Sequence, residues 1–261
     1  TYTDCANVRN ILDCWKCCTY EYGKVKSLGV VSSVFLQRPM LRALDRFIAV
    51  SQQVATRAYE HIPRGSVTVI PNFVDPTDFR GPKEEFVRSK NIVYVGLLGA
   101  HKGVHILVES FEKMRNKDMT TLEIVGIPDP AFSVTWGSRT LVLLNLPREE
   151  VIEHVRKAYA VVIPSLGAEA FGLVALEAMA CAKPVVASRV GALREIIVDG
   201  ETGILVPPND VLALSSALDY LVENPRQARE MGEKGYDRVM GHYSADLVVP
   251  RMLRLYAELC G

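Results

Sequence analysis

No stretch of this chain stays apolar for the roughly 18–20 residues that a membrane span requires. Neither charge is in excess, since lysine plus arginine and aspartate plus glutamate come to 30 each. A chain so balanced has no general electrostatic hold on nucleic acid, which is not expected as a partner. The Asp-x-Asp pair that would clamp a divalent cation on a diphosphate is missing. No strand leads into Gly-x-Gly-x-x-Gly, which disfavours a nicotinamide-dependent dehydrogenase. Internal repeats, low-complexity tracts and a signal-peptide pattern are absent as well, and the first residue is Thr1 rather than methionine. The chain is therefore expected to be a fragment or a processed product.

Cysteine is sparse and uneven. Cys5, Cys14, Cys17 and Cys18 lie near the start, and only Cys181 and Cys260 follow. Cys14-x-x-Cys17 with its two neighbours has spacing that can ligate zinc. It lacks the second, separated pair that makes a zinc ribbon, so reduced, partly buried thiols of a cytosolic protein are the expectation. Cys181 falls in an apolar helix and is expected in the core.

What is present suits a packed protein. Of 261 residues, 49% are hydrophobic, enough for one large or two modest domains. From Asn91 onward, short apolar runs alternate with amphipathic stretches. The runs are Ile92–Val95, Leu122–Val125, Leu141–Leu144, Val161–Pro164, Val185–Ser188 and Ile204–Val206. Helical patterns fall near Val104–Arg115, Glu149–Lys157, Leu173–Cys181 and Ala192–Val198. Further helices are expected at Val211–Glu223, Gln227–Met240 and Ala245–Leu259. Strands this short and this apolar, linked by helices, predict a doubly wound parallel α/β sheet covered on both faces. Before Asn91 the pattern gives a helix at Phe35–Leu44, strands at Arg46–Val50 and Val67–Ile70 and a helix at Gln52–His61. That is little more than one βαβ unit, followed by a Pro- and Gly-punctuated linker from Pro71 to Lys90.

The most informative segment carries two carboxylates, Glu169 and Glu177, in Pro164-Ser165-Leu166-Gly167-Ala168-Glu169-Ala170-Phe171-Gly172-Leu173 and the alanine-rich helix after it. A helix start with a glycine and unpaired backbone N–H groups accepts phosphate. Glu169 lies before that start and Glu177 about two turns inside, leaning back toward it. Carboxylates around a phosphate site suit hydroxyl groups on both sides of a diphosphate, the layout of a nucleotide sugar.

The run from Pro164 to Pro208 resembles the donor-binding half of the retaining glycosyltransferases of group 1, or family 4. Their GT-B fold sets two Rossmann-like domains face to face. Ala49-Val50-Ser51 and Val69-Ile70-Pro71-Asn72-Phe73-Val74-Asp75 resemble the family's domain-linking segment. Val95-Gly96-Leu97-Leu98-Gly99-Ala100-His101-Lys102-Gly103 resembles its first donor loop. Gly191-Ala192-Leu193-Arg194-Glu195 and Asp199-Gly200-Glu201-Thr202-Gly203 match the elements that follow the acidic pair.

The resemblance implies transfer of a sugar from a nucleotide diphosphate donor to a hydroxyl acceptor, glycan or lipid-linked, as in polysaccharide biosynthesis. Glu169 and Lys102 are then the catalytic candidates, contacting the donor sugar and the diphosphate. Donor binding is expected of Gly96, Lys102, Asn145, Leu146, Glu169, Ala170, Phe171, Gly172, Leu173 and Glu177, with Glu177 on the ribose and the Leu143–Pro147 segment beside the base. No metal and no cofactor are expected. The site is expected to be cytoplasmic, with room for peripheral association of the full-length protein with the inner face of a membrane. Residues 1–80 would be the remnant of an acceptor domain plus a hinge, 81–243 the donor domain, and 244–261 a helix crossing back.

Three residue departures stand against the family pattern, the mildest being Ala192 where a second glycine usually follows Gly191. The arginine usual just after the glycine at position 96 is Leu97 here, with Arg139, Arg189 or Arg194 as candidate substitutes. A glycine common before Lys183-Pro184 is Ala182, expected to be a packing matter. Most of the acceptor domain is not in these residues, so turnover by the 261-residue chain alone is not expected, and a nucleotide-sugar binding module without turnover is the alternative.

Overall fold

The computed structural model describes residues 44–60, 62–79 and 90–260. The cysteines at 5, 14, 17 and 18, residues 35–43 of the first expected helix and residues 80–89 of the expected linker lie outside them.

Six strands form one parallel sheet: β3 (Asn91–Leu98), β4 (Thr121–Pro128), β5 (Thr140–Leu144), β6 (Ala160–Ile163), β7 (Val185–Ser188) and β8 (Gly203–Val206). Their spatial order is β5-β4-β3-β6-β7-β8. Every pairing is parallel. A smaller two-stranded parallel sheet pairs β1 (Phe47–Ala49) with β2 (Val67–Val69) around helix α1 (Gln52–Ala58).

The unbroken apolar runs are explained by burial on both faces. Ile92 and Tyr94 of β3, Leu122 and Ile124 of β4 and Val162 of β6 enter one core, closed by α2 (Val104–Glu112) and α6 (Val211–Glu223). The alternate residues Val93, Val125, Val161 and Ile163 enter the other. That second core is closed by α3 (Arg148–Lys157), α4 (Leu173–Ala180), α5 (Leu193–Ile196) and part of α7 (Pro225–His242). Side chains of adjacent strand residues point to opposite faces, so a strand covered twice must be apolar at every position. Leu107, Phe111, Leu176 and Met179 are fully buried. Each contributes about 1.5–3 kcal/mol of transfer free energy.

The elements agree closely with the expected ones. Strands β3 and β4 run three residues further than the apolar pattern, to Leu98 and Pro128; Leu98 still enters the first core, whereas Ile127 and Pro128 are exposed. The short helix α5 stops at Ile196 because Ile197 is already extended. Ala182 differs from the expectation: its φ of 54° places it in the left-handed region, so the substituted glycine is a conformational matter rather than one of packing.

The chain returns at its end. Val74 bridges to Ser244, with Val74 N–H donating to the Tyr243 carbonyl and Ala245 N–H to the Val74 carbonyl. Helix α8 (Ala245–Cys260) then lays Val248 and Leu255 against Ile70, with Ile48 beside them. Among the described residues no helix is long and apolar enough to cross a membrane.

Candidate functional site

The strand order fixes where a ligand can enter. The strand order reverses between β3 and β6, and in sheets of this kind the ligand crevice lies at the carboxyl ends of the strands on either side of that point. The first loop carries Gly99 to Gly103 and the second carries Pro164 to Gly172. The two are stitched together: Leu166 N–H donates to the His101 carbonyl at 2.9 Å. Gly103 has φ +70°, and a Cβ there would stand 2.0 Å from the Pro164 carbonyl oxygen. Only glycine permits that approach.

Across this crevice Lys102 Nζ lies 2.6 Å from Glu169 Oε1, and Ser165 Oγ donates to the same oxygen at 2.6 Å. The Glu169 backbone is held as firmly. Ala192 N–H donates to its carbonyl at 2.9 Å, and a Cβ on Gly191 would fall 2.2 Å from that carbonyl oxygen. Beneath the first loop, the buried Tyr94 hydroxyl donates to the Leu97 carbonyl at 2.7 Å. Burial and, second to it, the Glu169 charge push the Tyr94 phenol well above its ordinary pKa, so it remains a donor at any working pH.

Helix α4 begins directly at this pair. Gly172, at φ +103°, precedes it, and no side chain caps its first turn. Its leading N–H groups therefore give the crevice a positive helix end. Phe171 is buried and packs edge-on against Tyr243, with ring centroids 6.0 Å apart. Leu173 is exposed at the rim. The Ala170 carbonyl accepts from Ser51 Oγ at 2.7 Å.

Glu177 stands further along the same helix, its side chain only 16% exposed, and does not join Lys102. Its ion partner is Arg148 at the start of α3, at 3.2 Å. Burial raises the Glu177 carboxyl above its ordinary range, and Arg148 draws it part of the way back. Arg148 follows Asn145, Leu146 and Pro147. Asn145 takes φ +56° and donates its N–H to the Gly126 carbonyl, while Leu146 packs against the second core. Gly96 has φ +153°, and a Cβ there would stand 3.0 Å from the Tyr94 hydroxyl oxygen.

Of the expected residues, Lys102 lies beside Glu169, and Glu177 pairs elsewhere, with Arg148. Arg148, Ser165 and Tyr94 were not expected there. Ser165 had a visible signal, sitting four residues before Glu169 at the end of a strand. Of the candidate substitutes for the arginine at position 97, Arg139 pairs with Asp118 at the opposite end of the sheet. Arg189 is taken by Asp199, and Arg194 is exposed on α5. Among the described residues no group of three or more His, Cys, Asp or Glu converges as a metal site would need.

Known proteins resemble this chain in sequence and in fold. The family profile described as glycosyl transferases group 1 matches residues 76–238. The alpha-maltose-1-phosphate synthase of Mycolicibacterium smegmatis is 30% identical over 88% of this chain and 67% of its own length. The glycogen synthase of Mycobacterium tuberculosis is 29% identical over 83% of this chain and 55% of its own. The chain thus spans roughly half to two thirds of these relatives. Among solved structures, sucrose-phosphate synthase from Thermosynechococcus elongatus superposes with a TM-score of 0.78 at 28% identity, covering 87% of this chain and 61% of that one. Anabaena HepE, solved with UDP and glucose, has a TM-score of 0.75 at 18% identity, covering 82% and 63%, which is a likeness of fold.

Proposed function

The chain belongs to the group 1 glycosyl transferases, and on that premise we propose that it binds the nucleotide sugar of a retaining sugar transfer to a hydroxyl acceptor. The observation that carries this reading is the Lys102–Glu169 pair set against the uncapped start of α4 in the crevice between β3 and β6. A diphosphate there meets helix N–H groups and one ammonium.

The roles follow from charge. Lys102 and the amides at Phe171–Leu173 take up the negative charge that grows on the departing nucleoside diphosphate. Glu169 spends Oε1 on Lys102 and Ser165. Its other oxygen is then the acceptor for a donor-sugar hydroxyl. Glu177 accepts from the ribose. No carboxylate is assigned as a covalent nucleophile, so front-face attack is the route we assign to retention. The cations of the protein, rather than a metal, hold the diphosphate in this reading. Acceptor, turnover and residence at the cytoplasmic face of a membrane are proposed for the whole protein, and donor binding for the 261 residues.

Calorimetric titration with UDP, GDP and ADP tests the reading. Lys102→Ala and Glu177→Ala should each weaken binding about ten- to hundredfold, the worth of one charge-assisted contact. Two variants that bind as the wild type does would show that the site is misplaced. A second reading, donor binding without turnover, is favoured by Leu97, which is exposed at the rim where the resemblance calls for arginine. Product formation from a radiolabelled donor and an acceptor extract separates the two.

A further inference from the structure

We propose that Arg148 is a positioning residue for the donor's ribose, holding the Glu177 carboxylate oriented and ionised at the wall of the crevice. The proposal rests on the reading of Glu177 as the ribose ligand.

The two carboxylates of the site each have a cation of their own. Glu169 has Lys102. Glu177 has Arg148, whose Nη2 lies 3.2 Å from its Oε1. Arg148 is also fixed from behind, because its guanidinium stands 6.0 Å from the ring centroid of Phe79, which is fully buried. A planar cation over an aromatic face is a favourable and oriented contact. Phe79 belongs to the segment that precedes the sheet, and it packs in the same core as α3 and α4.

Stability is a poor explanation for this contact. The Arg148 side chain is 64% exposed. Ion pairs with one partner so exposed contribute little to folding. Its effect on Glu177 is larger, because that carboxyl is buried and would otherwise hold its proton more tightly. A ribose diol donates two hydrogen bonds and needs an ionised acceptor; a protonated carboxyl offers less. The other titratable group coupled to Glu177 is Cys181, just past the end of α4, and burial pushes that thiol up to about 12, so it stays neutral. Arg148 is therefore the charge that draws Glu177 back toward the ionised form against the effect of burial.

The experiment is calorimetry across about pH 5 to 8 with whichever of UDP, GDP and ADP the wild type binds best, and with inorganic pyrophosphate, which has no ribose. Arg148→Gln should weaken the nucleotide about tenfold near neutrality, as loss of an oriented, charged acceptor does. It should also move the acid-side loss of binding to higher pH, because the contribution that lowers the Glu177 pKa is gone. Arg148→Lys should restore much of that position on the pH axis, and pyrophosphate affinity should be unchanged in both. An unmoved pH profile in Arg148→Gln overturns the proposal. Equal weakening of pyrophosphate overturns it too, since Arg148 would then act on the diphosphate directly. A wild type that binds none of the three nucleotides removes the donor-site reading itself, and this inference with it.

Discussion

Ser51 donates its hydroxyl to the Ala170 carbonyl at 2.7 Å, tying the amino end of α1 to the loop that carries Glu169. The same Oγ accepts from Val54 N–H, so one buried hydroxyl caps a helix and anchors a site loop. Glu195 reinforces the joint with both carboxylate oxygens, accepting from the N–H groups of Gln52 and Gln53 at 2.8 Å each.

Ser51→Ala should lower stability by about 1–2 kcal/mol, the cost of a lost cap plus a lost cross-element hydrogen bond. Urea unfolding followed by fluorescence measures it. A midpoint equal to that of the wild type would mean that water replaces both contacts at no cost.

Gly191 is required by the backbone of Glu169. An alanine there takes a left-handed φ of +52° and pushes its Cβ to within 2.2 Å of the Glu169 carbonyl oxygen. The conformation alone costs about 1–2 kcal/mol. Displacement of Glu169 adds a functional signature: Gly191→Ala should weaken a nucleotide sugar more than the matching nucleoside diphosphate. Paired titrations decide it, and equal weakening of the two would separate Glu169 from the sugar.

Glu177 carries a cost at neutral pH. Burial raises its folded pKa above the unfolded value, with Arg148 offsetting part of the rise. The folded state thus holds this proton more tightly, and the stability it lends is complete below the unfolded pKa and lost as pH rises through the folded one. Glu177→Gln should therefore raise the melting temperature at about pH 7, on the order of 2–4 °C per kcal/mol recovered. The gain should shrink toward about pH 4, while nucleotide binding falls at neutrality. Scanning calorimetry at the two pH values checks this, and a lowered midpoint at neutral pH would contradict it.

Nucleotide binding should survive excess EDTA, because the diphosphate is assigned to Lys102 and the start of α4 rather than to a carboxylate-held cation. Titration in chelator and then in added magnesium or manganese is the measurement. A metal requirement would move the diphosphate away from these groups.

The doubly wound sheet was legible because burial on both faces leaves apolar runs with no polar interruption, as in Val185–Ser188, which forms strand β7 over just those residues. The location of the crevice was legible through Gly96, Gly103 and Gly172, whose backbone angles suit glycine. The partner of Glu177 was not. Arg148 reads as an ordinary first-turn residue of a helix, and its pairing depends on how α3 and α4 lie side by side over the sheet. Ala182 escaped for another reason: a left-handed angle on a residue with a Cβ leaves no trace in composition or periodicity. Tyr94 gives no signal in the sequence, since the use of its hydroxyl depends on where the Leu97 carbonyl turns.

The chain passes between the small sheet and the large one twice, at Val74 and again at Ser244, and the two passages lie side by side with backbone hydrogen bonds on both flanks of Val74. Two threads knotted at one point cannot be pulled apart singly. Separating the two passages would break both backbone hydrogen bonds of Val74 together, so the start of α8 and the segment before the large sheet are held as one unit.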